Sequence, residues 1–278
     1  MRKEFSLIME KIAYQNDKIL FLTGDLGFMA LENIRDKIKE RFINVGVSEQ
    51  NMIAMAAAIA SEGFTPVCYS IAPFIVFRPA EQIRLDVCLH NMNVKIIGNG
   101  GGYGYGIMGA THHAIEDIAS LSSYQNMKCF IPFCNEDVES VTLAMMNYAG
   151  PSYLRLGYGQ KPGSLAIPAY RPLRHLQKGE RITVLAQGPI ALNVTKAIGS
   201  LEIDMVDLFV ISEIPIEELS PDFIESLRKT KKLVIIEEHV QRGGIGEYIS
   251  LLLMKQAIYC KLTHLCAKGY PNLLFGSQ

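Results

Sequence analysis

Residues 44–82 read NVGVSEQNMIAMAAAIASEGFTPVCYSIAPFIVFRPAEQ, and this stretch decides the fold. It opens on the end of an apolar strand (residues 41–45), turns at Gly46 and enters a helix from Glu49 to about residue 61, with Ser48 at the N-cap position. Met52, Ile53, Met55, Ala56, Ile59 and Ala60 make that helix apolar almost all round. Such a helix is buried, and a charged residue in its first turn must find a partner. Residues 64–70 form the next strand, so strand, buried helix and strand follow one another as in a parallel sheet. The same stretch holds the candidate chemistry. Glu49 stands at a strand-to-helix junction, and Phe74 and Phe77 leave the turn after the next strand. A carboxyl placed there can bind the polar edge of a flat heterocycle while the rings cover its face. Two phenylalanines three residues apart are otherwise ordinary core, and Glu49 is otherwise a buried ion pair at a helix start.

Outward from this unit the alternation continues. Residues 3–14 place Phe5, Ile8, Met9 and Ile12 on one helical face, and residues 18–23 form a strand ending in Gly24-Asp25-Leu26-Gly27. Open parallel sheets bind ligands at that carboxyl edge, which makes Asp25 a candidate contact; the alternative is that it caps the next helix. Downstream, residues 79–89 read as a surface helix with Glu81 and Arg84 outward, and residues 93–98 as a strand. A helix through Glu116, Asp117 and Leu121, a strand at 128–132, a helix capped by Asn135 and a strand at 152–156 complete the unit. The expected architecture is α/β, with a doubly wound parallel sheet.

Between these elements lies a glycine-rich loop, NGGGYGYGIMGATHH at residues 99–113. Glycines at this density let backbone approach a ligand closely. No GK[ST] follows, so it is not a P-loop, and no GxGxxG with an acidic residue in place is present. His112 and His113 at its end suit proton transfer or a sugar hydroxyl. Adjacent histidines rarely face one ion and no third ligand lies at a usual spacing, so no residue is assigned to a metal.

Residues 157–179 break the rhythm with Pro162, Pro168, Pro172 and several glycines. The expected division is a first domain at 1–160, a linker at 161–179 and a smaller α/β domain at 180–278. In the latter, strands near 182, 205, 234 and 260 alternate with helices at 192–198, 221–228 and 245–254. With 27 basic and 28 acidic side chains, no global field calls for nucleic acid or an anionic membrane. The most apolar run, residues 52–60, is too short to span a bilayer, and residues 1–10 lack a secretory h-region, so the chain is expected in the cytoplasm. Six cysteines without a CxxC pair read as buried thiols.

The motifs GDLG at Gly24, VGVSEQN at Val45, FIVFRPAEQIR at Phe74, ATHHAIEDIA at Ala110, IIEEHVQRGGIG at Ile235 and the closing LLFGSQ resemble the transketolase family over nearly the whole chain. The likeness is to the C-terminal half of a transketolase split into two chains. It implies a pyrimidine-binding domain followed by a transketolase C-terminal domain, with thiamine diphosphate as cofactor and ketol transfer between sugars as activity. It implies that Glu49 hydrogen-bonds N1′ of the cofactor's aminopyrimidine ring, that Phe74 stacks on the ring with Ile71 and Phe77 beside it, and that His112 moves protons at the substrate. Asp25, His113 and Arg155 are the further substrate candidates. The family's GDG motif for Mg2+ and the diphosphate is missing here, which implies that an N-terminal partner subunit holds them, in an α2β2 heterotetramer. Ile107, Met108 and Gly100 replace polar residues of the family pattern, and a phosphate-binding arginine is missing near Phe133-Cys134. A fork of donors binds a phosphate, so these departures imply a substrate other than the usual pentose phosphates, such as a nucleotide-linked sugar. The competing readings are the β subunit of a 2-oxoacid dehydrogenase E1 component and a non-catalytic scaffold on the same fold.

Overall fold

The computed structural model describes residues 1–27, 29–163, 165–199 and 205–278. The first half runs through strands β1 (Ile19–Thr23), β2 (Phe42–Asn44), β3 (Thr65–Ile71), β4 (Lys95–Asn99), β5 (Lys128–Phe130) and β6 (Ser152–Leu156). The second runs through β7 (Leu173–Gln177), β8 (Ile182–Gln187), β9 (Val206–Ile211), β10 (Glu213–Ile214), β11 (Lys232–Val240) and β12 (Lys261–Ala267). Among the described residues these make a seven-stranded sheet ordered β10-β5-β6-β4-β3-β1-β2 and a five-stranded sheet ordered β12-β11-β8-β9-β7. Within the first sheet all pairs are parallel except β10 with β5; in the second only β7 pairs antiparallel, with β9. The doubly wound α/β expectation therefore holds.

Helices cover both faces of the first sheet: α1 (Arg2–Gln15), α2 (Glu32–Ile38), α3 (Glu49–Ser61), α4 (Ala72–Phe77), α5 (Ala80–Gln82), α6 (Asp117–Ser122) and α7 (Val138–Asn147). Strand side chains alternate in direction, and both directions are apolar here. Phe21 and Val67, paired across β1 and β3, pack under α1 with Phe5 and Met9, whereas their neighbours Leu22 and Cys68 pack under α3 with Met52 and Ile53. The second sheet carries α8 (Ile190–Ile198), α9 (Pro221–Thr230) and α10 (Ile245–Lys255).

Two local capping expectations are corrected, and one helix expectation is refined. Ser48 does not cap α3 through its side chain; its hydroxyl donates to the Val45 carbonyl at 2.8 Å, closing the turn instead. Asn135 caps nothing either, because its Oδ1 accepts from the amino terminus of Met1 at 2.8 Å. Residues 79–89 form α5 and then a π-helical stretch, Ile83–Leu89, which buries Ile83, Val87 and Cys88 while Glu81 and Arg84 stay exposed.

The two halves are tied together. Strand β10 comes from the second half and completes the edge of the first sheet, and β7, inside the stretch expected as linker, is an edge strand of the second. Arg174 on β7 donates to both oxygens of Asp137 at 2.7 and 2.6 Å and to Ser212 Oγ at 2.6 Å. Around the seam, Lys128 Nζ lies 2.6 Å from Glu213 Oε1, and Tyr170 donates to Glu213 at 2.8 Å.

Candidate active site

The sheet order places β1 between β2 and β3, so the chain leaves β1 toward one side and later returns on the other. At such a switch point the helices diverge and leave a crevice beyond the carboxyl ends of the strands. Three residues meet there: Gly24 after β1, Glu49 opening α3 and Ser70 on β3. A Cβ on Gly24 would sit 3.2 Å from the Gly46 carbonyl and 3.3 Å from Met52 Cε, so a side chain there would have to push the start of α3 back by a few tenths of an ångström.

Glu49 is 3% exposed. Its Oε1 accepts from Ser70 Oγ at 3.1 Å and its Oε2 from Arg78 Nη1 at 2.8 Å. The partner that a buried acid requires is thus Arg78, four residues beyond Phe74 in a backbone that stays helical through Arg78. That spacing stacks side chains on one face of a helix, and the Arg78 guanidinium lies 3.8 Å from the centroid of the Phe74 ring. In the sequence Arg78 stands out only as part of the FIVFRPAEQIR motif, with no role of its own. The signal for it was available in the need of Glu49 for a cation.

Phe74 is half-buried, and its ring meets His112 edge-on at 5.2 Å. His112 also packs on Tyr105 at 5.6 Å, and its Nδ1 is 2.9 Å from Thr111 Oγ1. Burial raises the Tyr105 phenol above its ordinary value, and its oxygen accepts from Asn99 Nδ2 at 2.8 Å. Ile71 precedes α4 half-buried, and Phe77 lies 39% exposed at the rim. Exposed apolar side chains, Val47, Ile107 and Met108, flank the same loops.

The other candidates lie elsewhere or are committed. His113 is buried with Nε2 2.8 Å from the Gly106 carbonyl, between Tyr103 and the C-terminal residues Tyr270 and Phe275. The adjacent histidines thus diverge: His112 faces Phe74 and His113 orders the loop. Asp25 is exposed and accepts from Asn44 Nδ2 at 3.2 Å, joining the ends of β1 and β2 rather than capping α2. Arg155, expected at the substrate, is instead buried beneath the loop. It donates through Nε to Asp117 at 2.8 Å and through Nη2 to the Ala114 and Glu238 carbonyls at 3.0 Å each. The glycine loop rests on that side chain, since a Cβ on Gly101 would fall 2.5 Å from Arg155 Cγ. Gly102 lies against Glu238, whose carboxyl is raised above its ordinary value by burial and accepts from Gln278. Among the described residues no group of histidine, cysteine or carboxylate side chains is arranged to hold a metal ion.

The model of "Transketolase, pyrimidine binding domain" matches residues 1–160, and that of "Transketolase, C-terminal domain" matches residues 173–268. This chain belongs to the transketolase family. It is 29% identical over 223 residues to an apulose-4-phosphate transketolase subunit of Actinobacillus succinogenes, covering 76% of this chain and 69% of that one. It is 27% identical over 288 residues to the protein of the same description in Phocaeicola vulgatus, covering 100% and 90%. Among solved structures, one described as "Split gene transketolase, inactive beta4 tetramer" superposes with a TM-score of 0.80 at 26% identity, covering 96% of this chain and 87% of that one. These likenesses set the chain with the C-terminal subunits of transketolases divided over two chains.

Proposed function

We propose that this chain is the pyrimidine-binding subunit of a two-chain, thiamine-diphosphate-dependent transketolase that moves a two-carbon ketol unit between sugars. The observation that carries the reading is the convergence of a buried carboxylate, an aromatic face and a histidine at the switch point of the first sheet. The residues present fit the aminopyrimidine half of the cofactor. The Arg78 guanidinium, itself a flat nitrogen group, already makes the two contacts that such a ring needs: an N–H to Glu49 and a face on Phe74.

When bound, thiamine diphosphate supplies the nucleophilic carbon and the electron sink for carbon–carbon cleavage. Glu49 accepts or shares a proton at the ring's edge, and Ser70 orients that carboxyl through the other oxygen. Phe74 covers the ring's face, flanked by Ile71 and Phe77, and His112 holds or moves a proton on the substrate side. Asp25 lies on the same sheet edge and bounds the sugar's approach. An N-terminal subunit docks over the exposed rim and holds the diphosphate with its Mg2+, which makes an α2β2 assembly working in the cytoplasm. The free thiols of all six cysteines suit that compartment.

The substrate is a sugar other than the usual pentose phosphates, since Ile107, Met108 and Gly100 replace polar residues of the family pattern and the arginine expected near Phe133-Cys134 is missing. Apulose 4-phosphate, named in the description of the two relatives above, is the first donor to assay, with a nucleotide-linked sugar beside it. The test is to co-purify this chain with its N-terminal subunit and follow ketol transfer with and without Mg2+ and thiamine diphosphate. Transfer that needs both subunits and both cofactors supports the reading. Best turnover with xylulose 5-phosphate and ribose 5-phosphate removes the substrate assignment, and no transfer from any ketose removes the activity.

A further inference from the structure

Arg78 is unlike the two enclosed arginines that pair with buried acids among the described residues, Arg155 and Arg174. Arg155 spends three hydrogen bonds on Asp117 and two carbonyls, and Arg174 spends three on Asp137 and Ser212, with side chains 4% and 1% exposed. Arg78 makes one hydrogen bond among the described residues, through Nη1 to Glu49, and its side chain is 43% exposed. Its other contact is a ring face, that of Phe74. A guanidinium is planar, donates N–H groups in its own plane and stacks on aromatic rings. An aminopyrimidine does all three.

We infer that Arg78 is a displaceable placeholder: in the free subunit it occupies the carboxylate and the aromatic face that the cofactor's pyrimidine takes, and it swings toward solvent when that ring arrives. The inference rests on the function proposed above. Physically, Glu49 is too deeply buried to stand unpaired, and a cation held by one bond at the protein surface satisfies it at low cost of release. Binding the ring then exchanges one planar donor for another, so the apparent affinity for the cofactor is reduced by the fraction of molecules with Arg78 seated. Arg78 is therefore a positioning residue that sets cofactor affinity and takes no part at the reacting atoms.

The test is calorimetric titration of thiamine diphosphate, with Mg2+ in excess, into the assembled two-subunit complex carrying wild type, Arg78→Ala, Arg78→Gln, Arg78→Lys or Glu49→Ala. Arg78→Ala and Arg78→Gln are expected to lower the Kd by about three- to tenfold, with Arg78→Lys between them and wild type. Methylguanidinium ion, far below denaturing concentrations, is expected to raise the Kd of Arg78→Ala back toward wild type and to leave wild type unchanged. A residue that merely supports the fold gives the opposite sign, a weaker Kd in both neutral variants and no response to methylguanidinium, and that result overturns the inference. Glu49→Ala separates the two levels. If it leaves the Kd unchanged, the cofactor reading itself fails; if it weakens binding while neither neutral Arg78 variant tightens it, only the placeholder fails.

Discussion

Two acid–arginine pairs, one at the sheet's switch point and one at the seam between the halves, bury their carboxylates almost equally and their cations very differently. Glu49 and Asp137 have side chains 2% and 0% exposed, yet Arg78 keeps nearly half its surface in solvent while Arg174 keeps almost none. Asp137 is held in a fork by two guanidinium nitrogens and also accepts from the Phe133 amide at 3.1 Å, whereas Glu49 receives a single N–H and a serine hydroxyl. Removing one partner of a fully enclosed pair strands a charge, whereas a half-open pair can exchange its partner with solvent or a ligand. The seam is thus built to stay shut and the switch point to change partners.

The sharpest way to break this contrast is at the seam. Arg174→Met leaves Asp137 buried without its cation and is expected to destabilise the chain by about 3–5 kcal/mol, read from urea unfolding. Arg78→Met, measured in the same way, also takes the cation from a buried carboxylate but forfeits a single hydrogen bond, and is expected to cost less, about 1–3 kcal/mol. Equal losses for the two would erase the distinction.

A smaller effect is expected where the tail meets the glycine loop. Gly109 has φ +75°, and a Cβ there would lie 2.6 Å from the Phe275 ring. Gly109→Ala is expected to cost about 1–3 kcal/mol through backbone strain and to push Phe275 aside, which a rise in proteolysis of the C-terminal segment reports. An unchanged urea midpoint and cleavage pattern would show that the loop tolerates the side chain.

The gentlest probe is Lys95, a buried cation on β4 that pairs with no acid among the described residues. It donates to the Tyr148 and Gly150 carbonyls, and burial lowers its pKa to about 7. The unfolded chain keeps that lysine protonated to about pH 10.4, so between pH 7 and that limit the unfolded state binds more protons than the folded one. Stability from this group therefore rises with pH above 7, by at most about 1.4 kcal/mol per pH unit. Buried cysteines such as Cys88 and Cys134, whose thiols burial raises to about 12, reverse the trend once unfolded thiols ionise near pH 8.5. Unfolding free energy measured from pH 7 to 8.5 is expected to climb in wild type and to stay flat in Lys95→Met; parallel curves would contradict the assignment.

Much of the fold was legible because both faces of the first sheet are apolar and its strands are separated by recognisable helices. Strand β10 was not, since two residues, Glu213 and Ile214, carry no period and find their partner more than eighty positions away in β5. Strand β7 was hidden behind Pro172, and its pairing with β9 is again non-local. At the site, Glu49 declared itself as an acid inside an apolar helix. Arg78 did not, because a lone arginine in a helical stretch reads as surface until the buried acid is placed beside it. Arg155 was legible only as a basic residue near the end of β6, because its partners Asp117, Ala114 and Glu238 are far away in the chain and only the fold brings them together. The tail from residue 270 onward has no periodicity, so its packing over His113 follows only from the fold.

The acid at position 49 offers the most direct test of all. In the assembled two-subunit enzyme saturated with thiamine diphosphate and Mg2+, Glu49→Gln keeps the shape of the side chain and removes its carboxylate. The expected result is a fall in kcat of about a hundredfold or more with little change in unfolding free energy. Turnover within a few-fold of wild type would contradict the central claim, and Glu49 would then be no more than the buried half of an ion pair.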